Sequence, residues 1–189
     1  MEYNVLVLSA GRRVELINSF KNAAQKLNIK SNIIAVDIDE TAPALYFADK
    51  YYIISRIDNE KFIDDIINIS KKEAINLIVP TIDTELLKLS KYKQNIEDMT
   101  KAKVLISDYN LIEICNDKFK TMTFLSNNNF FVPFTYSNEH LEDVKYPVFI
   151  KPYNGSSSID TYKIYNFKEL SFFKYYIKNP IIQDRKSVV

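Results

Sequence analysis

Glycine occurs only twice in this 189-residue chain, at Gly11 and Gly155. A chain of average composition and this length would carry about 13. Lys, Asn, Ile, Tyr and Phe are abundant instead, the bias of an AT-rich coding sequence, which drains glycine. The two glycines that remain are therefore candidates for positions where no other residue fits. Tryptophan is absent, and histidine and cysteine occur once each, as His140 and Cys115. A lone cysteine excludes an internal disulfide and fits a reducing compartment. Cys115 lies in an apolar helical stretch and is expected in the core. His140 sits in the polar run "SNEHLED", where solvent exposure is expected, with no nucleophile in view for it to serve. Excess charge is missing too: 25 basic against 24 acidic residues leave a net charge of +1. That removes the electrostatic case for nucleic acid or an acidic membrane surface. No apolar run approaches a membrane span, and "VLVL" is too short for a signal peptide. The expectation is a cytoplasmic protein with no nucleic-acid and no membrane partner.

What is present is a regular alternation. "YNVLVLSAGRR" is a short apolar run that ends in a small-residue loop. Val14, Leu16, Ile17, Phe20, Ala23, Ala24 and Leu27 then recur at helical spacing. "NIIAVDID", "KYYIIS" and "INLIVPT" are further apolar runs, with a helical stretch from about Glu60 to Lys72. Continuously apolar strands alternating with helices predict a parallel α/β sheet covered on both faces.

Ligands bind such sheets at the carboxyl ends of the strands. Those ends are Ser9–Arg13, Asp37–Glu40 and "PTIDTEL". The first feeds a helix N-terminus, where free N–H groups attract an anion, and Arg12 and Arg13 add positive charge. Gly11, Arg12, Arg13, Asp83 and Glu85 are thus candidate substrate-binding residues. The competing readings are a solvated first turn for the arginines, an N-cap for Asp83 and a helix-dipole role for Glu85. A dinucleotide site with Asp37 on the ribose is a further alternative. It is disfavoured, because Ser9 and Val14 stand where G-x-G-x-x-G needs glycine. "DID" carries two carboxylates without a partner, and no metal is assigned to it.

From about Ser107 the pattern changes. "SDYNLIEICNDKFKTMTFLSNNNF" reads as two helices, the second starting near Asn116 or Asp117 and stopping at the asparagines 127–129. "PVFIK" and "IDTYKIY" read as the two strands of an antiparallel hairpin around the loop "PYNGSSS". Asn166 and Glu169 form a capping-box pattern ahead of a last helix, and "PIIQ" opens another strand. Glycine and small hydroxyl residues let backbone N–H groups converge on an anion, with Lys151 as a point cation beside them. A plain surface turn is the alternative, since Asn-Gly is a common hairpin signal.

A strand ending in Lys-Pro, a Gly/Ser loop, a returning strand and an Asp-Lys helix start about thirty residues earlier resemble the ATP-grasp family. "SAGRR", "PTIDTEL" and "ICNDK" are similar to its carbamoyl-phosphate-synthase-large-subunit-like branch. The resemblance covers residues 3–183. It implies a Rossmann-like pre-ATP-grasp domain over 1–106 and an incomplete α+β ATP-grasp subdomain over 107–183. It also implies an ATP-dependent carboxylate–amine ligase working through an acylphosphate. By the same resemblance, Lys118 and Lys151 contact the nucleotide phosphates, and Gly155, Ser156, Ser157 and Ser158 form the loop over them. Gln183 stands at the start of the hinge beside the adenine. Relatives carry a basic residue at Tyr153 and a further glycine near Asp160. The implied cofactors are ATP and Mg²⁺, the metal ligands lying on a second half and none in this chain. The implied partners are a small carboxylate and a small amine, and a homodimer is left open.

The last six residues, "DRKSVV", back-translate as GAT CGG AAG AGC GTC GTG, which resembles a sequencing adapter. The expectation is that native sequence ends at Gln183, that 184–189 is a non-native tail, and that the chain is inactive alone. It also follows that the hairpin's apolar face would lack its cover and be sticky. The alternative is a non-catalytic or split-gene nucleotide-binding subunit that needs a partner chain.

Overall fold

The computed structural model describes residues 2–136, 141–155 and 158–184. The chain divides into two compact units, Met1–Tyr109 and Asn110–Val189. The first runs β1 (Asn4–Val7), α1 (Val14–Lys26), β2 (Ile33–Asp37), a 3₁₀ turn (Pro43–Phe47), β3 (Lys50–Ile53), α2 (Phe62–Lys72), β4 (Ile75–Val79), α3 (Asp83–Thr100) and β5 (Lys103–Val104). All five strands are parallel, in the order β3-β2-β1-β4-β5.

Alternation along each strand builds two cores. Leu6 and Leu8 of the first strand and its exit, with Ile34 and Val36 of β2, meet Ile66 of α2 and Leu89 and Ile96 of α3. Val5, Val7, Ile33 and Ala35 point the other way, onto Ile17 of α1 and Leu45 of the 3₁₀ turn. Each core strand is therefore covered on both faces, which is why β1 and β2 read as unbroken apolar runs. The expected double cover fails at β3. It is the edge strand, and Lys50, Tyr51 and Ile53 are exposed. Strand order reverses between β1 and β4, so the loops after them, Leu8–Arg13 and Pro80–Ile82, flank the topological switch point. Periodicity does not show the 3₁₀ turn or the two-residue β5.

The second unit holds most of α4 (Tyr109–Asn116), then α5 (Lys118–Asn127), β6 (Thr135–Tyr136), β7 (Val148–Pro152), β8 (Tyr162–Ile164), α6 (Phe167–Tyr176) and β9 (Pro180–Asp184). Its strands are antiparallel, in the order β6-β9-β7-β8. Val148 and Ile150 of β7, Ile164 of β8 and Ile182 of β9 face one side, under Leu170 and Phe173 of α6. The hairpin's apolar face is thus covered within the unit. The expectation of an uncovered face fails because α6 folds back on it.

Cys115 is also a correction. It is exposed, because α4 buries Ile112 and turns Leu111 and Cys115, one helical turn apart, to solvent together. Leu27, counted with the apolar face of α1, lies at the helix end and is exposed. No helix among the described residues is long and apolar enough to cross a membrane. His140 lies outside the described residues, as do Ser156, Ser157 and the last five residues of the chain.

Candidate functional site

In the second unit the period of two decides where Lys151 goes. In "VFIKP", Val148 and Ile150 enter the core, so Phe149 and Lys151 stand on the opposite face. Lys118 comes from the first turn of α5. Asp117 caps that helix, its Oδ1 accepting from Phe119 N at 2.8 Å and Lys120 N at 3.1 Å. The Lys118 backbone N donates to the Tyr153 carbonyl at 3.0 Å, which ties the helix start to the loop leaving β7. Lys118 Nζ then reaches the carbonyls of Gly155 (3.0 Å) and Tyr153 (3.4 Å).

The two lysines open onto one cavity of about 270 Å³, walled also by Gly155, Ser158 and Thr161. Burial pushes both ammonium groups below the ordinary lysine range, and for Lys118 the neighbouring Lys151 charge pushes further. Among the described residues no carboxylate pairs with either at ion-pair distance.

Ser158 (φ +57°) and Asp160 (φ +53°) both lie in the left-handed region. Asp tolerates that conformation better than most residues. Gly155 has no positive φ, and among the described residues a Cβ there would meet only the Cβ of Pro152, at 3.7 Å. The chain's own packing does not require glycine at 155, contrary to the inference from composition. Gln183 lies within β9, buried. Its Nε2 donates to Thr135 Oγ1 at 3.1 Å and to Met122 Sδ at 3.3 Å, and it does not line the lysine cavity.

In the first unit, a cavity of about 540 Å³ opens at the carboxyl ends of the strands. Gly11 belongs to its wall and meets the expectation for glycine. Its φ is +50°, and a Cβ would lie 3.3 Å from Arg13 Nη1. Its N–H donates to Asp37 Oδ2 at 2.8 Å, while Asp39 N donates to Asp37 Oδ1 at 3.1 Å. Both oxygens of Asp37 are therefore engaged by backbone, which argues against a ribose role for it. Arg13 also lines the cavity, its guanidinium donating to the carbonyls of Ser9 (3.3 Å) and Thr81 (2.8 Å). Thr81 Oγ1 donates to Leu8 O and Ser9 O, stitching the β1 and β4 exits together.

Glu85 is wholly buried. It accepts from Ser9 Oγ (2.8 Å), Thr81 N (2.7 Å) and Ile82 N (3.3 Å). Burial pushes its carboxyl up, against the pull of those donors and of Arg13. Its place is to join the two loops. Arg12 and Asp83 are exposed, and neither they nor Glu85 line the cavity. Sequence reading missed Arg56, Ile57 and Phe62, which wall it from the loop after β3 and the start of α2.

An open parallel sheet followed by an antiparallel unit with paired lysines defines a class, and residues 115–188 match the ATP-grasp domain family. The chain's first part is more particular. Residues 5–105, more than half of the chain, match the PylC-like N-terminal domain family, and the chain belongs to that family. No curated protein sequence matches it.

Solved structures of similar fold include an L-amino acid ligase from Bacillus licheniformis, with 16% identity and a TM-score of 0.70. It is matched over 96% of this chain and 44% of its own. N5-carboxyaminoimidazole synthetase from Staphylococcus aureus, complexed with ADP, gives 16% identity, a TM-score of 0.70, and 97% and 48% coverage. The biotin carboxylase domain dimer of Hydrogenobacter thermophilus 2-oxoglutarate carboxylase, with MgADP, ADP and bicarbonate, gives 18%, 0.67, and 96% and 44%. The chain spans less than half the length of these structures.

Proposed function

We propose that this chain is the N-terminal part of an ATP-dependent carboxylate–amine ligase. Lys118, Lys151 and the loop from Gly155 to Ser158 hold the phosphates of ATP in this reading. One observation carries it: two half-buried ammonium groups face a single cavity, and among the described residues no carboxylate stands at ion-pair distance from either, the Asp117 charge only partly offsetting burial and the Lys151 charge at Lys118. Two like charges held in a desolvated site are stabilised by an anion, and a polyphosphate supplies several negative charges at once. The ATP-grasp family match and the nucleotide-bound relatives support the same reading.

The reaction in this reading is the one that the ATP-grasp resemblance implies. A substrate carboxylate attacks the γ-phosphorus and ADP leaves, giving an acylphosphate. An amine then attacks the acyl carbon and phosphate departs. Phosphoryl transfer needs positioning and charge neutralisation more than covalent help, and those are what lysines and loop N–H groups supply. Among the described residues no cluster of three or more acidic, His or Cys side chains could hold a metal.

The test is calorimetric titration of the 189-residue chain with ATP, ADP and NAD. Adenine nucleoside polyphosphates are expected to bind in preference to NAD. Lys118→Ala and Lys151→Ala should each weaken ADP by about ten-fold or more, as loss of a charge-assisted contact does. Lys168→Ala, on an exposed lysine of the same unit, should not. Because both cavity lysines lose their protons below the ordinary lysine range, affinity should fall as pH climbs toward that range. Binding there should also take up protons from buffer, since a bound anion favours the ammonium form. Equal effects of the three substitutions would overturn the assignment.

A further inference from the structure

The 540 Å³ cavity of the first unit has a composition that the lysine site lacks. Ile38, Ile54, Ile57 and Phe62 give it apolar walls, and its charged lining residues are Arg13 and Arg56 with the carboxylates Asp37 and Asp58. We infer that it is the binding site of a small carboxylate with an apolar body. The body lies on the isoleucines and Phe62, and the anionic group is held by Arg56. This rests on the ligase reading only in taking that ligand to be the carboxylate substrate.

Three observations support the assignment. First, the apolar wall reaches solvent. Ile38 is 51% exposed at the loop after β2, where a polar residue would hydrate better. Second, the loop bearing Arg56 is braced rather than loose. Lys88 Nζ donates to Ile57 O at 2.6 Å and Asn59 O at 2.7 Å. Ser55 N donates to Asp65 Oδ2 at 2.9 Å, and Asn59 N to Arg56 O at 2.9 Å. A ligand meeting this wall therefore pays little to order it.

Third, the charges in the wall are unequally free. Asp37 is committed to Gly11 and Asp39 backbone, and Arg13 is half committed to two carbonyls. Among the described residues the ion pair of Arg56 is an exposed one to Asp58, also in the wall, Nε to Oδ1 at 3.5 Å. Such a surface pair is worth little and yields to a better-placed carboxylate. The recognisable ligand is therefore an anion with something apolar attached, and the predominance of isoleucine favours an aliphatic or single-ring body.

The experiment measures binding to the full chain by calorimetry, using acetate, butyrate, hexanoate and 3-phenylpropionate as probes, with hexanol and hexylamine as matched neutral and cationic bodies. Affinity should rise about three- to four-fold per added methylene, the size of methylene burial. Hexanoate should outbind hexanol and hexylamine at least ten-fold. Arg56→Gln, at an exposed position, should abolish the preference for the anion while keeping the chain-length slope. Ile38→Ser, also exposed, should flatten that slope while keeping the anion preference. No binding, equal binding of the three six-carbon probes, or displacement of hexanoate by ADP would overturn the proposal. ADP titrated alone separates it from the ligase reading. ADP binding without carboxylate binding sinks this inference only, and the converse sinks the phosphate site instead.

Discussion

Gly11 and Gly155 are equally rare in composition and unequal in physics. At Gly11 the backbone has φ +50° and an added Cβ would crowd the guanidinium that joins two loops, so the fold itself needs the missing side chain. At Gly155 the space is open and the conformation ordinary. Gly11→Ala should therefore lower stability by about 1 kcal/mol or more, read as a shift in denaturant midpoint. Gly155→Ala should leave the midpoint unchanged while weakening ADP, if the loop holds the phosphates as proposed. Comparable destabilisation by both would mean that 155 is a structural glycine after all. Glu85 makes a related point. A carboxylate in "PTIDTEL" at a strand end looks like a ligand-binding group, yet three donors from the chain itself surround it. Sequence shows which residue types stand at the switch point, but not which of them the fold has already used.

At the level of elements, the second unit was legible where local signals agree. The strand ending at Lys151 and the helix start near Asn116 or Asp117 were both legible; the structure adds that Lys151 stands opposite the core and that Asp117 is the cap ahead of Lys118. Asn166 caps the helix as its spacing indicates, but the reciprocal half of the expected box is displaced by one residue. Asn166 Oδ1 accepts from Glu169 N at 3.0 Å, while Glu169 Oε2 reaches back one residue further, to Tyr165 N at 2.8 Å. Asn166→Ala should cost about 1 kcal/mol, through loss of the cap on the helix that covers the hairpin. Hydrogen exchange in α6 and β7 should speed together, whereas α2 should be unaffected. The cavity wall of the first unit was not legible, for a physical reason. Arg56 and Ile57 sit in a loop with no periodicity, and the Lys88 contacts that brace it cross about thirty residues of sequence. β5 is two residues long, too short for alternation to register, and pairs only because β4 presents a free edge.

For the whole molecule, the question is which part can stand alone. Residues 1–109 carry two apolar clusters, one on each face of a five-stranded sheet, and both clusters are built entirely from that stretch. The second unit is smaller, has one cluster on one face of its sheet, and exposes Phe130, Phe131, Phe134, Phe172 and Tyr175. Buried fraction rises with the size of a unit, so the first should be the more stable of the two. Expressed alone, residues 1–109 should unfold in one cooperative transition, with amide protection in β1, β2 and β4. Residues 110–189 expressed alone should unfold at lower denaturant. The carboxylate-body assignment gains a sharp check from the same fragment, because every residue of that cavity lies within 1–109. Hexanoate should raise the midpoint of the fragment and that of the full chain alike. A well-folded fragment that ignores hexanoate, set against a full chain that responds, would move the binding site out of the first unit.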